Sequence, residues 1–262
     1  MRDRLMREVA ALGLSTEPGP EAPVAAPDLA ALPGTAQRYL RFMKVLGRPR
    51  DWSFALGFKG RFRLGRLKRW MKCETWQYSS RLALARIFHI RVRMAGLVPV
   101  LARDTYVAGR GRMRVRLADL VTLADGRGEE FDVGELVTYL NDGIMLAPSM
   151  LLVPQVRWSA VDEASFEVAI GHAGRTVSAR VFVGKDGAPT DFSTTDRFCS
   201  DERDPSKLVR ARWTTPIDGW QEIDGRMLFT RGQAVWHLPE VEFAYADFTL
   251  DPASVRFNLA PG

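Results

Sequence analysis

Arg86-Ile87-Phe88-His89-Ile90-Arg91-Val92-Arg93-Met94 changes polarity at nearly every step. Successive side chains of an extended chain point to opposite faces. His89, Arg91 and Arg93 therefore share one face, and Phe88, Ile90, Val92 and Met94 take the other. Gly111-Arg112-Met113-Arg114-Val115-Arg116-Leu117 repeats the pattern with Arg112, Arg114 and Arg116. One apolar and one polar face is the signature of an antiparallel sheet covered on one side. The two-residue period begins near Trp52, and further strands are expected at 166–170, 176–183, 190–198, 227–236 and 243–250. Gly171-His172-Ala173-Gly174, Lys185-Asp186-Gly187 and Ile223-Asp224-Gly225-Arg226 supply hairpin turns. Short strands punctuated by turns argue for a large curved antiparallel sheet rather than βαβ units.

Helical periodicity appears outside these runs. Leu5, Met6, Val9 and Leu12 form one face of a short N-terminal helix. Residues 13–33 hold five of the 15 prolines and read as an extended arm, since proline fixes φ and lacks a donor. Ala36, Tyr39, Leu40, Met43 and Leu46 make a second helical stripe, which Gly47 ends. Asp132 and Glu135 have capping-box spacing, and Leu136, Tyr139, Leu140 and Ile144 continue as an apolar stripe up to Pro148. The apolar segment Met150-Leu151-Leu152-Val153 is expected to plug the concave face of the sheet. The expected organisation is an N-terminal helix and arm over 1–33 and a single domain over 34–262. The fold class is α+β, mainly antiparallel β.

The 262 residues carry 37 Lys/Arg and 31 Asp/Glu, a net charge of +6. That total conceals a division. Residues 38–116 hold 21 basic and three acidic residues (+18), whereas 117–262 hold 13 and 23 (−10). Thirty-one of the basic residues are Arg, whose planar fork suits carboxylate and phosphate, although codon bias would also enrich it. A 46% hydrophobic composition excludes disorder, collagen and a disulfide scaffold. Cys73 and Cys199 are too few for a disulfide framework. No signal-peptide run follows Met1, and the least interrupted apolar stretch, 143–153, contains Pro148, so a soluble cytoplasmic chain is expected.

No motif assigns a reaction. Gly109-Arg110-Gly111-Arg112-Met113 lacks the third glycine of a nucleotide fingerprint and runs on as a strand. Ser149 is not in a nucleophile elbow, and His89, His172 and His237 lack metal-ligand spacing, so no metal and no cofactor are expected. Glu129, Glu130, Asp132 and Glu135 read as helix-start acids, with Asp162, Glu163, Asp191 and Asp196 facing arginines. Aligned arginines on neighbouring strands repel unless acids or an anionic ligand separate them. Pairing within the chain, an anionic membrane or headgroup, and nucleic acid compete for that role. Nucleic acid is least supported, because Trp70, Trp76 and Tyr78 do not form an RNA-binding aromatic pattern. Seven tryptophans and nine methionines could line a roomy apolar cavity or simply fill a large core.

Several segments together resemble an uncharacterised bacterial domain-of-unknown-function family. They begin with Leu32-Pro33, Gln37-Arg38-Tyr39-Leu40, Trp76-Gln77-Tyr78, Arg103-Asp104-Thr105-Tyr106 and Gly109-Arg110-Gly111-Arg112-Met113. Gly134-Glu135-Leu136, Tyr139-Leu140, Ala147-Pro148, Val156-Arg157-Trp158 with Asp162, and Asp196-Arg197 follow in order, then Trp213 with Pro216 and Val235-Trp236-His237-Leu238-Pro239. The resemblance spans about residues 32–250 and brings no catalytic residues with it. It implies a fold similar to the half-barrel of lipoprotein-carrier proteins, with a curved sheet around a lidding helix and an apolar cavity.

Three functions follow as expectations. The first is binding of an apolar or amphiphilic small molecule in the concave face, with His89, Arg91, Arg112, Arg114, Tyr139, Trp158 and Trp236 as candidate ligand-binding residues. The second is an enzyme using Arg112, Arg114, His89 and Asp104 or Glu130 on the open sheet face. The third is docking of the basic strands to an anionic membrane or acidic partner.

Overall fold

The computed structural model describes residues 2–14, 17–94, 98–201, 204 and 207–259. Three helices come first: α1 (Arg2–Ala11), α2 (Ala26–Leu29) and α3 (Gly34–Phe42). A six-strand meander follows: β1 (Ser53–Phe62), β2 (Met71–Ser80), β3 (Ala85–Met94), β4 (Val98–Val107), β5 (Arg110–Leu117) and β6 (Val121–Arg127). The long helix α4 (Glu129–Leu146) then leads to β7 (Val156–Asp162), β8 (Ser165–His172), β9 (Arg175–Val183), β10 (Pro189–Ser200) and β11 (Leu208–Thr214). The chain ends with β12 (Ile217–Asp218), β13 (Gln221–Ile223), β14 (Arg226–Leu228), β15 (Arg231–Leu238), β16 (Val241–Leu250) and β17 (Arg256–Phe257).

The main sheet runs β6-β5-β4-β3-β2-β1-β16-β15-β11-β10-β9-β8-β7, with β12 and β17 pairing on β15 and β1. Two meanders are thus joined where the first strand pairs with the last long one, Phe58 opposite Leu250 and Phe62 opposite Ala246. The result is an antiparallel half-barrel, and α4 connects its two outermost strands across the concave side. That helix is buried on nearly every face, as Leu136, Val137, Leu140 and Ile144 are each fully covered. The apolar segment after it packs into the same core, with Met150 and Leu151 buried.

The alternation in β3 sorts as expected. Phe88, Ile90 and Val92 face the concave side, and Ile87 and His89 face outward beneath α1. Leu5 and Val9 of α1 cover Ala55, Tyr78, Ala85 and Ile87. Glu8 ties the helix down through His89 (2.9 Å) and Arg103. Most arginines of the basic third find carboxylates within the chain: Arg112 pairs with Asp125, Arg116 with Asp119, Arg110 with Asp132, and Arg61 with Asp247.

Two local expectations are corrected. The strand expected over 227–236 is broken at Phe229–Thr230, because the Phe229 side chain turns into the core and stacks on Phe58 at 5.8 Å. The capping box at Asp132 does not form. The helix starts three residues earlier, after Gly128 (φ 112°), and Asp132 instead accepts the Gly111 N–H at 2.6 Å and bonds Arg110 and Arg175. Gly111 permits this contact, since a Cβ there would sit 2.0 Å from the Phe131 carbonyl oxygen.

Candidate functional site

Between α4 and the concave sheet lies a cavity of about 290 Å³. Its walls are largely apolar, from Phe58, Phe88, Ile90, Met113, Phe229 and Phe248 among others. Phe62, Leu64 and Met71 line the end near the β1–β2 turn, where Leu64 is 73% exposed and marks an opening to solvent. The helix gives the cavity a different character. Glu135, Thr138, Asp142 and Met145 recur at helical spacing, so one face of α4 looks into the cavity while Leu136, Leu140 and Ile144 look into the core.

Those helix residues meet charged side chains from both meanders. Arg86 on β3 donates to Glu135 Oε2 at 3.0 Å and to Asp142 Oδ2 at 2.6 Å, and Gln77 donates to the same Asp142 oxygen at 3.1 Å. From β10, Arg197 donates to the Thr138 hydroxyl at 2.9 Å. Its guanidinium lies 4.3 Å from the Trp213 ring and 5.8 Å from that of Trp236. Trp213 Nε1 donates to the Tyr245 hydroxyl at 3.1 Å, and Asn141 donates to Thr215 at 2.7 Å. Asp104 on β4 also lines the cavity, and its Oδ1 is buried without a hydrogen-bond partner, as is Nε of Arg197.

The cluster contains two guanidiniums and three carboxyls. Burial, then the charge of Asp104, pushes the Glu135 carboxyl up to about 7 against the pull of Arg86 and Arg197. Burial raises the Asp104 carboxyl as well, outweighing the same two arginines. Both carboxyls are thus held in the protonated form to higher pH than an ordinary side-chain carboxyl. With all three carboxyls ionised the cluster carries −1, and one bound proton makes it neutral. Among the described residues no three His, Cys, Asp or Glu side chains gather to hold a metal. Cys73 is held as a thiol, pushed up to about 12 by burial and by Glu74.

The seven candidate ligand-binding residues lie elsewhere. His89, Arg91, Arg112 and Arg114 project from the convex face. There His89 bonds Glu8, Arg91 pairs with Glu74, and Arg112 grips Asp125 through two hydrogen bonds. Arg114 sits opposite Arg103 in the sheet, and burial together with the charges of Arg103, Arg112 and Arg116 lowers its pKa. Tyr139 is buried in the main core, and Trp158 packs on Tyr39 and Phe166. Trp236 comes nearest the cavity, stacked behind Tyr245 at 5.9 Å. Of the residues considered for catalysis, Asp104 lines the cavity and Glu130 is exposed at the start of α4.

Arg86, Asp142 and Arg197 are not among the residues that the sequence patterns single out for a site, and the spacing of Glu135 points to a cap rather than to the cavity. A signal existed for each of the first two. Arg86 is in phase with Phe88, Ile90 and Val92, an arginine on the apolar face of the alternation. Asp142 follows Glu135 by two helical turns on one face of α4. Elsewhere, Thr214, His237 and Glu242 form a hydrogen-bonded chain (2.9 and 2.7 Å) reminiscent of a nucleophile–base pair. Thr214 is buried, however, and none of the three lines the cavity.

Comparison with known proteins adds the following. No curated protein matches the chain. Three crystal structures are similar at low identity. A LolA superfamily protein from Nitrosomonas europaea matches at 12% identity and TM-score 0.41, covering 84% of this chain and 92% of that one. A putative outer membrane lipoprotein-sorting protein domain from Vibrio parahaemolyticus matches at 8% and 0.41, covering 79% and 85%. A DUF1329 family protein from Desulfovibrio piger matches at 15% and 0.43, covering 86% and 92%. Residues 22–248 match the model of a family of unknown function, DUF6544.

Proposed function

The chain belongs to DUF6544, a family without an assigned activity, and we propose that it binds one amphiphilic small molecule in the concave cavity. The observation that carries this reading is the cavity itself, an apolar chamber with charged groups gathered against α4 and an opening beside Leu64. Its 290 Å³ is at the lower end of the ~300–1,000 Å³ range of ligand pockets, which suits a single alkyl tail rather than a diacyl lipid. The tail would lie along Phe58, Ile90 and Phe248, with the polar end toward Arg86, Asp104 and Arg197. Native mass spectrometry of the purified protein, combined with displacement of a neutral naphthyl fluorophore, tests the reading. Binding is expected in the parent protein and lost when the chamber is filled by Ile90→Trp. Fluorophore binding that survives Ile90→Trp in a folded protein would refute it.

A second reading, docking to an anionic bilayer, is supported by the β1–β2 turn. Leu64 (73% exposed) and Leu67 (85%) project there among Arg63, Arg66, Lys68 and Arg69. Exposed apolar side chains set among cations suit the interface of an anionic membrane. No helix of the described residues is long and apolar enough to cross a membrane. Vesicles containing phosphatidylglycerol should co-sediment the protein at low salt and release it at high salt, and Leu67→Glu should weaken the association. Equal sedimentation with neutral vesicles would exclude charge-driven docking.

A further inference from the structure

The polar groups of the cavity do more than mark where a headgroup sits; their charge count selects one. We propose that the ligand of this cavity carries a protonated amine, held by Asp104. The inference rests on the ligand-binding reading above and specifies its chemistry.

Arg86 is used up by Glu135 and Asp142, which it reaches at 3.0 and 2.6 Å. Arg197 is turned to Thr138 and the faces of Trp213 and Trp236, with its Nε left without a partner. Asp104 is left as a carboxyl on the cavity wall without a hydrogen bond, and its Oδ1 is wholly buried. A buried carboxylate without a partner is costly, and the group that satisfies it is a hydrogen-bond-donating cation. With an ammonium in place, three positive charges face three negative ones. A ligand carboxylate would instead meet Asp104 and Glu135, and a neutral alcohol would leave the compensation to a bound proton. The surroundings suit a cation as well. Phe88 stands directly opposite Asp104 in the sheet, and Tyr245 lines the same chamber. Aromatic faces attract ammonium groups.

In the empty cavity a carboxyl proton takes the place of that cation, Glu135 being pushed up to about 7. Binding is then an exchange: the ammonium enters, Asp104 and Glu135 are both left ionised, and one proton leaves to solvent. The groups that set this exchange come from every element around Asp104. They are Arg86 and His89 from β3, Arg103 from β4, Glu135 and Asp142 from α4, Arg197 from β10 and Tyr245 from β16. Affinity for an amine should therefore rise with pH while the carboxyl pair loses its proton.

Isothermal titration of the full chain with n-octylamine, n-octanol and n-octanoate decides the matter, because the three share one tail. Near pH 8, octylamine should bind at least about tenfold tighter than octanoate. Its affinity should fall by roughly tenfold on going to about pH 6, with proton release seen as a dependence on buffer ionisation enthalpy. Octanol should bind alike at both pH values. Asp104→Asn should bring octylamine down to the level of octanol and leave octanol unchanged, so octanol also reports that the variant is folded. Octanoate equal to or tighter than octylamine, or an octylamine affinity untouched by Asp104→Asn, would overturn the amine assignment while leaving the cavity a binding site. Failure of all three to bind would overturn the underlying reading instead. Should the variant not fold, the ranking of the three probes on the parent protein still decides.

Discussion

Glu135 and Glu8 are carboxylates displaced in opposite directions by their surroundings. Burial and the Asp104 charge hold Glu135 at about 7, against 4.5 as an ordinary side chain. Between those pH values the folded protein keeps a proton that the unfolded chain has lost. This group's contribution to stability thus declines as pH rises through that window and stays low above it. Glu135→Gln should flatten the dependence, so urea midpoints near pH 5 and pH 8 should lie closer together in the variant than in the parent. For Glu8, burial acts upward, but the hydrogen bonds from His89 and Arg103 outweigh it and hold the carboxyl at about 2. Its stabilisation is present above about pH 4.5 and is lost as pH falls toward 2. Arg86 presents a different case, a guanidinium 4% exposed between two carboxyls. Arg86→Met should cost about 3–5 kcal/mol by stranding both acids. Replacing Glu135 and Asp142 by leucine as well should restore much of that loss, as chemical denaturation would show. Arg86 was the most legible clue to the site, because a charge in phase with Phe88, Ile90 and Val92 has to be either an error of register or a buried partner.

α1 is an outrigger on the convex face, fastened by Leu5, Val9 and Glu8. Glu8→Ala should destabilise the protein by about 1–2 kcal/mol near neutral pH, after allowing for partial solvent screening, with the effect fading below about pH 4. Guanidinium melts over that pH range would read it directly. The stripe Leu5, Val9 and Leu12 made this helix visible in the sequence, because apolar spacing is a local property. The stripe Leu136, Leu140 and Ile144 revealed α4 for the same reason. Its start was less legible. Asp132 has the spacing of a cap, yet the strongest donors within its reach, Gly111 and Arg175, come from β5 and β9. β1 was only vaguely legible, since its first six residues are buried on both faces and show no alternation. Leu140→Ala, deep in the core beneath α4, should cost about 2–5 kcal/mol in an equilibrium melt.

The molecule as a whole explains what no short stretch could reveal. A curved antiparallel sheet was readable from the Arg-apolar alternation, and the half-barrel from the resemblance of ordered segments. The cavity was not, because Arg86, Asp104, Glu135 and Arg197 come from β3, β4, α4 and β10 and meet only when the two meanders close around the helix. The +18 and −10 portions of the sequence are likewise brought together by that closure, which sets Arg86 against Glu135 and Asp142, and Arg61 against Asp247. Joining β1 to β16 requires the two ends of the chain to meet, so folding should be slow, in the millisecond-to-second range typical of non-local sheets, as stopped-flow tryptophan fluorescence would show. α4 links the outermost strands β6 and β7 as a string links the tips of a bow, with the β1–β16 seam as the grip. The width of the chamber is then governed by the length of one helix. Cutting the chain just before β7, at residues 154–155, would unstring the bow and leave both limbs intact, so a nicked protein should keep its strand content while losing its grip on any ligand.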